Sequence, residues 1–406
     1  MRIIYTFSIL IYQFAIKLVA PINKKAKLWS VGRATIFEDL EKNVPKDKKV
    51  IWFHCASLGE FEQGRSLIEA YKKAYSDDFI LLSFFSPSGY EIRKNYIHAD
   101  YVCYLPADTS NNANRFIKTV NPSLAFFVKY EFWFNYLNEL KKSNTSTFLV
   151  SGIFRPQQHF FKWYGGWFRK QLSSFEHFFI QNQTSLDLLQ SINYHNYTLT
   201  GDTRFDRVID VVKSSKPLHD ISAFVNDQPT IVAGSTWLED EKVIAPYVQQ
   251  NTIKLIIAPH EVNPSRIKSL QHIFGSDATL YSTMDVSKNI LIIDTIGLLS
   301  SLYAYGSWAY IGGGFGTGIH NTLEAASYGI PVVFGPNFDK FQEAKDLIDI
   351  EAARSISNAK EFQITADTLF KNNTDRIQKG KKAKEYVFSQ GGATQKILDY
   401  LSKKDA

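Results

Sequence analysis

The residues with the clearest chemical potential lie between Gly312 and Pro336, in the run GGGFGTGIHNTLEAASYGIPVVFGP. A β-strand is predicted to end at Ile311, a glycine loop to follow, and a helix to start near His320 or Asn321. Glycines let a backbone come close to an anion, and the first N–H groups of a helix point at it. Gly312, Gly313 and Gly314, with the helix start at His320, are therefore expected to form an anion site. A Gly-rich turn made only for tight packing has the same composition. Glu324, on the first turn after the loop, adds a carboxylate able to accept both hydroxyls of a ribose, so loop and carboxylate together describe a nucleotide. The loop is not a dinucleotide fingerprint, because no acidic residue ends a following strand about 20 positions on, and no Gly-Lys-Ser/Thr marks a Walker loop.

Two further strand-to-loop junctions lie in the same half. IVAGSTWLEDE places Gly234, Ser235 and Thr236 at the carboxyl end of a strand, where hydroxyl and N–H groups could hold a phosphate. LIIAPHEVNPSRI ends its strand at Pro259 and His260. Each also has a structural reading: Ser235 and Thr236 as helix N-caps, His260 as a capping or core histidine. In the first half, VIWFHCASLGEFEQGRSLIEA brings Glu60 to the mouth of a helix after the turn Ser57 to Gly59. A carboxylate there is either a partner of the helix dipole or a base for an acceptor hydroxyl. Glu131, at the end of the strand SLAFFVKYE, is a second carboxylate on the same edge, and Glu62 is a weaker rival for either role. No Asp-x-Asp pair at a strand end, no His/Cys cluster with metal spacing and no Gly-x-Ser-x-Gly elbow is present. What remains is a metal-free transfer in which N–H donors carry a leaving phosphate and a carboxylate activates the nucleophile.

These junctions need strands to carry them. After Lys49 come the apolar runs VIWFHCA, FILLSFFS, YVCYLPA, SLAFFVKYE, TFLVSGI and HFFIQN, and later TIVAGST, KLIIAP, ATLYS, NILIID, WAYIGGG and PVVFGP, with helical patterns between. Continuous apolar runs alternating with amphipathic helices predict parallel strands buried on both faces. The expected fold class is α/β, with two Rossmann-like doubly wound domains meeting at a cleft along the carboxyl ends of their strands. Residues 22–205 would form the first domain, 206–228 a linker marked by Ser, Pro and Asp, 229–385 the second domain, and 386–406 a helical tail. At 406 residues, two domains is the natural count.

The composition, 45% hydrophobic with 31 Phe and 21 Tyr, excludes global disorder. A net charge of +6 is spread along the chain, and no dense basic tract marks a nucleic-acid groove, so nucleic acid is not an expected partner. The two cysteines, Cys55 and Cys103, sit in apolar strand runs and suggest neither a disulfide scaffold nor a zinc cluster. Residues 1–21 stand apart: no charge interrupts Ile3 to Ile16, and only Lys17 breaks the apolar run before Pro21. That length suits an anchor that either crosses a bilayer or lies in its interface. Lys24, Lys25, Lys27 and Arg33 follow, which places the rest of the chain on the cytoplasmic side and offers contacts to anionic lipid.

Taken in order, the apolar N-terminus, HCASLGE, KYEFWFN, LTGDTRFD, AGSTWLEDE, DTIGLLSSLYAYGSWAYIGGGF and HNTLEAASYGIPVVFGP resemble the 3-deoxy-D-manno-octulosonic acid (Kdo) transferases of lipopolysaccharide biosynthesis. The resemblance runs almost end to end and implies a GT-B glycosyltransferase fold. It implies Glu60 as the catalytic base and Glu131 as a second functional glutamate. Ser235, Thr236, His260, Gly313, Asn321 and Glu324 would hold the donor CMP-Kdo, and the acceptor would be a lipid A precursor. Transfer would be inverting, would need no metal and no resident cofactor, and would take place on the cytoplasmic face of the inner membrane. Three departures stand out. Ala258, Pro259, His260 and Glu261 replace Pro-Arg-His-Pro, so an arginine expected near the donor phosphate is missing, and His260 or Arg266 is the available substitute. Gly318, Ile319, His320 and Asn321 replace Gly-Gly-His-Asn, and Leu323, Glu324 and Ala325 replace Leu-Glu-Pro. Two rivals share these loops: a GT-B transferase using a UDP-sugar for another envelope glycolipid, and a non-catalytic membrane-tethered binding module.

Overall fold

In the computed structural model, which describes residues 1–405, the chain divides into two compact units. The first comprises Met1–Arg207 with Gly391–Ala406, and the second Val208–Gln390.

The first unit is built on seven parallel strands: β1 (Val50–Cys55), β2 (Phe79–Phe84), β3 (Tyr101–Tyr104), β4 (Leu124–Val128), β5 (Ser146–Gly152), β6 (His177–Ile180) and β7 (Tyr197–Leu199). Their order is β3-β2-β1-β4-β5-β6-β7. Both faces are covered, which is why the strands read as unbroken apolar runs rather than alternating ones. In β1, Val50 and Trp52 enter one core with Leu81, Phe116 and Tyr136. The residues between them, Ile51, Phe53 and Cys55, enter the opposite core with Phe61, Leu67 and Phe126. That second core is completed by Ile397 and Leu401 from the last helix, Ala393–Asp405. The start of that helix is fixed by Asp206, whose carboxylate accepts from the N–H groups of Gly392 at 2.5 Å and Thr394 at 2.6 Å.

The second unit repeats the architecture with β8 (Thr230–Thr236), β9 (Lys254–Pro259), β10 (Ala278–Leu280), β11 (Ile290–Ile292), β12 (Trp308–Ile311), β13 (Val332–Phe334) and β14 (Ala353–Ser355). All are parallel, in the order β10-β11-β9-β8-β12-β13-β14. Twelve of the fourteen strands are those predicted from the apolar runs. The other two, β7 and β14, are three-residue edge strands with half-exposed residues. The stretch 206–228, read as a linker, holds most of the helix Thr203–Ser214 and all of the helix His219–Val225, with Val208, Ile209, Ile221 and Phe224 buried.

Strand order reverses between β1 and β4 in the first sheet and between β8 and β12 in the second. Loops leaving these neighbouring strands at their carboxyl ends diverge to opposite faces, and the crevice they open is where such sheets bind ligands. Every candidate site segment but one leaves a strand at a reversal point: Glu60 follows β1, Glu131 follows β4, Ser235 and Thr236 end β8, and the glycine loop follows β12. The exception is His260, after β9, the strand next to β8.

The N-terminal helix Arg2–Val19 has a mean hydropathy of 1.4 and buries none of its residues fully. It is nonetheless attached to the first unit by one side. The Tyr5 hydroxyl donates to Asp108 at 2.7 Å, Arg2 donates to Asn135 at 3.0 Å, and the Tyr12 ring lies 6.1 Å from both Trp29 and Phe85. The opposite side presents Ile3, Ile4, Phe7, Leu10, Ile11, Phe14 and Leu18 to the outside, a stripe at helical spacing. Arg33, expected among the lipid-facing cations, is instead structural. Its guanidinium donates to the carbonyls of Trp29, Phe85 and Leu105 and lies 4.0 Å from the Trp29 ring. Burial lowers its pKa to about 9.

Candidate active site

In the second unit, β8 does not run straight into its loop. Gly234 pairs with Ala258 and Thr236 with Pro259, so Ser235 is the extra residue of a bulge, with a left-handed φ of 54°. A non-glycine residue in that region stores about 1–3 kcal/mol of strain, retained only where its surroundings enforce it. Here the enforcing neighbour is the glycine loop: a Cβ on Gly312 would strike the Ser235 carbonyl and the Thr236 backbone. The loops after β8 and β12 therefore lie backbone against backbone.

Asp240 ties them together. Its buried carboxylate accepts from the N–H of Trp237 at 2.8 Å, the N–H of Gly313 at 2.9 Å and the hydroxyl of Tyr310 at 2.8 Å. Burial raises its pKa against these three donors. The loop after β9 joins through rings. His260 stacks on Trp237 at 4.7 Å and on His320 at 4.3 Å, while the Trp237 indole donates to Nε2 of His320 at 3.2 Å. The three predicted loops thus do converge, around Gly312–Gly314, Trp237, His260 and His320.

Several details differ from the sequence reading. The helix after the glycine loop starts at Leu323, not at His320 or Asn321, and has only five residues, Leu323–Ser327. The loop's own bonds hold the intervening residues out of helix: His320 N–H donates to Gly312, and Ile319 N–H to Asn337. The Leu323 N–H is already taken by the Asn321 side chain at 3.1 Å, so little helix dipole is left for an anion. Asn321 also donates to the Glu324 carboxylate at 2.9 Å, which orients it. The Thr236 hydroxyl turns inward to Glu241 at 2.8 Å. Arg266, considered as the replacement arginine, forms an ion pair with that same buried Glu241. That leaves His260, which is exposed, as the residue of the two that meets the glycine loop.

In the first unit, the helix Leu58–Ala74 is capped by Ser57, whose hydroxyl accepts from Gly59 N–H at 3.2 Å and is hydrogen-bonded to the Glu60 carboxylate. Glu131 does not end its strand. β4 stops at Val128 because Lys129 adopts φ 74°, and Glu131 follows in an irregular turn. Both carboxyl groups are buried. Burial first, and then the neighbouring Glu60, raise the pKa of Glu131 to about 8, although the Trp133 indole donates to it at 2.8 Å. His54 Nε2 lies 3.9 Å from Glu131, and burial lowers the pKa of that imidazole to about 3, so it gives the carboxyl no charge. Glu131 therefore holds a proton at neutral pH. Neighbouring carboxyl groups in different environments are the usual basis for dividing acid from base. Glu62 is drawn off into ion pairs with Arg93 at 2.8 Å and Arg65 at 3.8 Å.

Sequence reasoning missed Trp237 and Asp240 in the second unit and Lys129, Trp133 and His54 in the first. AGSTWLEDE and KYEFWFN contain four of them, but the partners of the two in the second unit are distant in sequence: 83 residues separate Trp237 from His320, and 73 separate Asp240 from Gly313.

A family model described as 3-deoxy-D-manno-octulosonic-acid transferase (kdotransferase) matches residues 32–207. The chain is 25% identical over 371 residues to the 3-deoxy-D-manno-octulosonic acid transferase of Rickettsia felis, covering 87% of this chain and 78% of that one. It is 25% identical over 381 residues to that of Aquifex aeolicus, covering 90% and 99%. Among solved structures, UDP-GlcNAc 2-epimerase from Neisseria meningitidis superposes with a TM-score of 0.62 at 14% identity, over 87% of this chain and 100% of that one, a likeness of fold. Fold, family model and relatives agree: residues 32–207 match the 3-deoxy-D-manno-octulosonic-acid transferase model, the chain is similar along most of its length to transferases of that name, and it is a glycosyltransferase of GT-B architecture.

Proposed function

We infer that this chain transfers Kdo from CMP-Kdo to a lipid A precursor of the lipid IVA type, with inversion and without a metal ion or resident cofactor. The observation that carries the reading is the carboxyl pair at the reversal point of the first sheet. Glu131 keeps a proton at neutral pH, and Glu60, oriented by Ser57, is the carboxyl group assigned as base. Glu60 takes the proton from a glucosamine 6-hydroxyl of the acceptor, and the oxygen attacks the anomeric carbon of Kdo. The bond from that carbon to the CMP phosphate breaks with its electron pair on the leaving oxygen. Ser235, His260 and the Gly314 N–H would meet the phosphate charge, the Gly312 and Gly313 N–H groups being given to Gly234 and Asp240, and Glu324, oriented by Asn321, would meet the ribose. The N-terminal helix supports a place at the cytoplasmic face of the inner membrane. Its apolar stripe faces outward, the reverse of a helix packed on a water-soluble domain, and Lys24, Lys25 and Lys27 follow it.

The test is incubation of the full chain with CMP-Kdo and a tetra-acylated lipid A precursor, in the presence of a chelator, followed by mass analysis of the lipid. Addition of Kdo is expected, and Glu60→Ala should lower the rate by about 100 to 10,000-fold. The variant should still be stabilised against heat by CMP and not by UDP, because only a ligand that binds the folded state does so. No Kdo-bearing lipid from the wild type would overturn the reading; near wild-type transfer by folded Glu60→Ala would overturn the base.

A further inference from the structure

Trp237 has no place in the chemistry assigned so far, yet it makes the only side-chain hydrogen bond recorded for His320 among the described residues. An indole N–H can only donate, so Nε2 of His320 must accept, and the proton of the neutral ring must sit on Nδ1. Protonating Nε2 would turn two donors against each other. The same ring is stacked at 18° on His260, which in turn is stacked at 29° on Trp237, so the indole both bonds to one imidazole and covers the other. The backbone N–H of His320 is tied to Gly312 at 3.1 Å, which fixes the ring's root at the glycine loop. A Cβ on Gly313 would lie 3.1–3.2 Å from the ring's Cδ2 and Nε2, so the imidazole lies against the backbone of that loop.

The geometry points to Trp237 as a positioning residue of the donor site: it holds His320 as the neutral, Nδ1-protonated tautomer, so that the ring meets a phosphate ester as a hydrogen-bond donor and not as a cation. The titratable groups around the ring agree with this assignment. His260 faces it from the loop after β9, and Asp240, on the helix Leu238–Gln250, is occupied by Trp237, Gly313 and Tyr310. Among the described residues no carboxylate pairs with the ring to stabilise an imidazolium, and burial with His260 beside it lowers the His320 pKa to about 4. A neutral donor binds phosphate with little dependence on pH around neutrality; an imidazolium would bind more tightly as pH falls. The inference rests on the nucleotide reading of this loop.

The experiment uses the full chain labelled with 15N-histidine. In the wild type at pH 7, the His320 Nε2 resonance is expected in the unprotonated range and Nδ1 in the protonated range, with no titration down to about pH 5. Trp237→Phe keeps a ring on His260 and removes the donor. His320 should then populate both tautomers and titrate closer to the ordinary imidazole value of about 6.5. CMP affinity at pH 7.5 should fall about fivefold, the scale of one hydrogen bond, and should acquire a rise toward pH 6 absent from the wild type. A proton on Nε2 in the wild type overturns the inference, whether or not the variant folds. So does a Trp237→Phe protein with unchanged tautomer and unchanged pH profile. A wild type that fails to bind CMP would instead count against the nucleotide reading, leaving the tautomer result to stand by itself.

Discussion

Burial raises the Glu131 carboxyl to a pKa of about 8, and the position carries a stability signature that follows from this. The unfolded chain loses that proton near pH 4.3 and the folded chain near 8, so between these values the folded state binds a proton the unfolded state has released. The contribution to stability is full below about pH 4.3 and is lost as pH rises through about 8. Glu131→Gln cannot ionise and keeps an oxygen for the Trp133 indole. Its unfolding free energy relative to wild type should therefore rise with pH, by up to about 5 kcal/mol between pH 4.5 and 9, read from denaturant titrations. A difference that stays flat over that range would remove Glu131 as the protonated partner. At this scale the sequence was partly legible. Glu60 and Glu131 were visible because each follows an apolar strand run. The proton on Glu131 was not, because it depends on a burial that only the fold supplies. Trp237 was invisible for a different reason: its role is written in a residue 83 positions away.

Between elements, the decisive contact is backbone on backbone. A Cβ on Gly314 would come within 2.6 Å of the Gly335 backbone, the start of the loop after β13, whereas a Cβ on Gly316 would find only ordinary contact with the Gly313 carbonyl at 3.5 Å. Gly314→Ala should cost about 1–3 kcal/mol by overpacking and weaken CMP binding, while Gly316→Ala should leave both near wild type. Chemical denaturation and CMP titration on the pair check this, and equal effects would show that the loop is not clamped between its neighbours. Twelve strands were readable because burial on both faces leaves an unbroken apolar signature. β7 and β14 were not, since a three-residue edge strand that buries none of its residues has no such signature. The helix start was misplaced because Asn321, a good capping residue, spends its side chain on Leu323 N–H and Glu324 two and three positions on.

For the molecule as a whole, the outward stripe on the N-terminal helix predicts how the protein partitions. Ile11 and Phe14 are more than half exposed. Replacing both with Asp should reduce co-sedimentation with vesicles containing anionic lipid by at least about tenfold, because burying each side chain contributes roughly 1.5–3 kcal/mol. Unchanged sedimentation would take the helix out of membrane attachment. The hydropathy of this segment was plain in the sequence; which side it turns to the protein was not, because Tyr5 and Arg2 are held by Asp108 and Asn135, more than a hundred residues later. The two-unit organisation was foreshadowed by the repeated strand rhythm, whereas the return of the last helix to the first unit has no local signal, since Asp206 reaches Gly392 and Thr394 only in the folded state. That return has a consequence for the ribosome. The first unit is translated in two instalments, with about 180 residues of the second unit between them, so at 5–20 residues per second its outer core waits roughly 10–40 s for Ile397 and Leu401. During that interval the surface made by Phe148 and Phe179, which Tyr400 covers in the finished fold, is a nascent apolar face, and it is there that a chaperone would be expected to hold the growing chain.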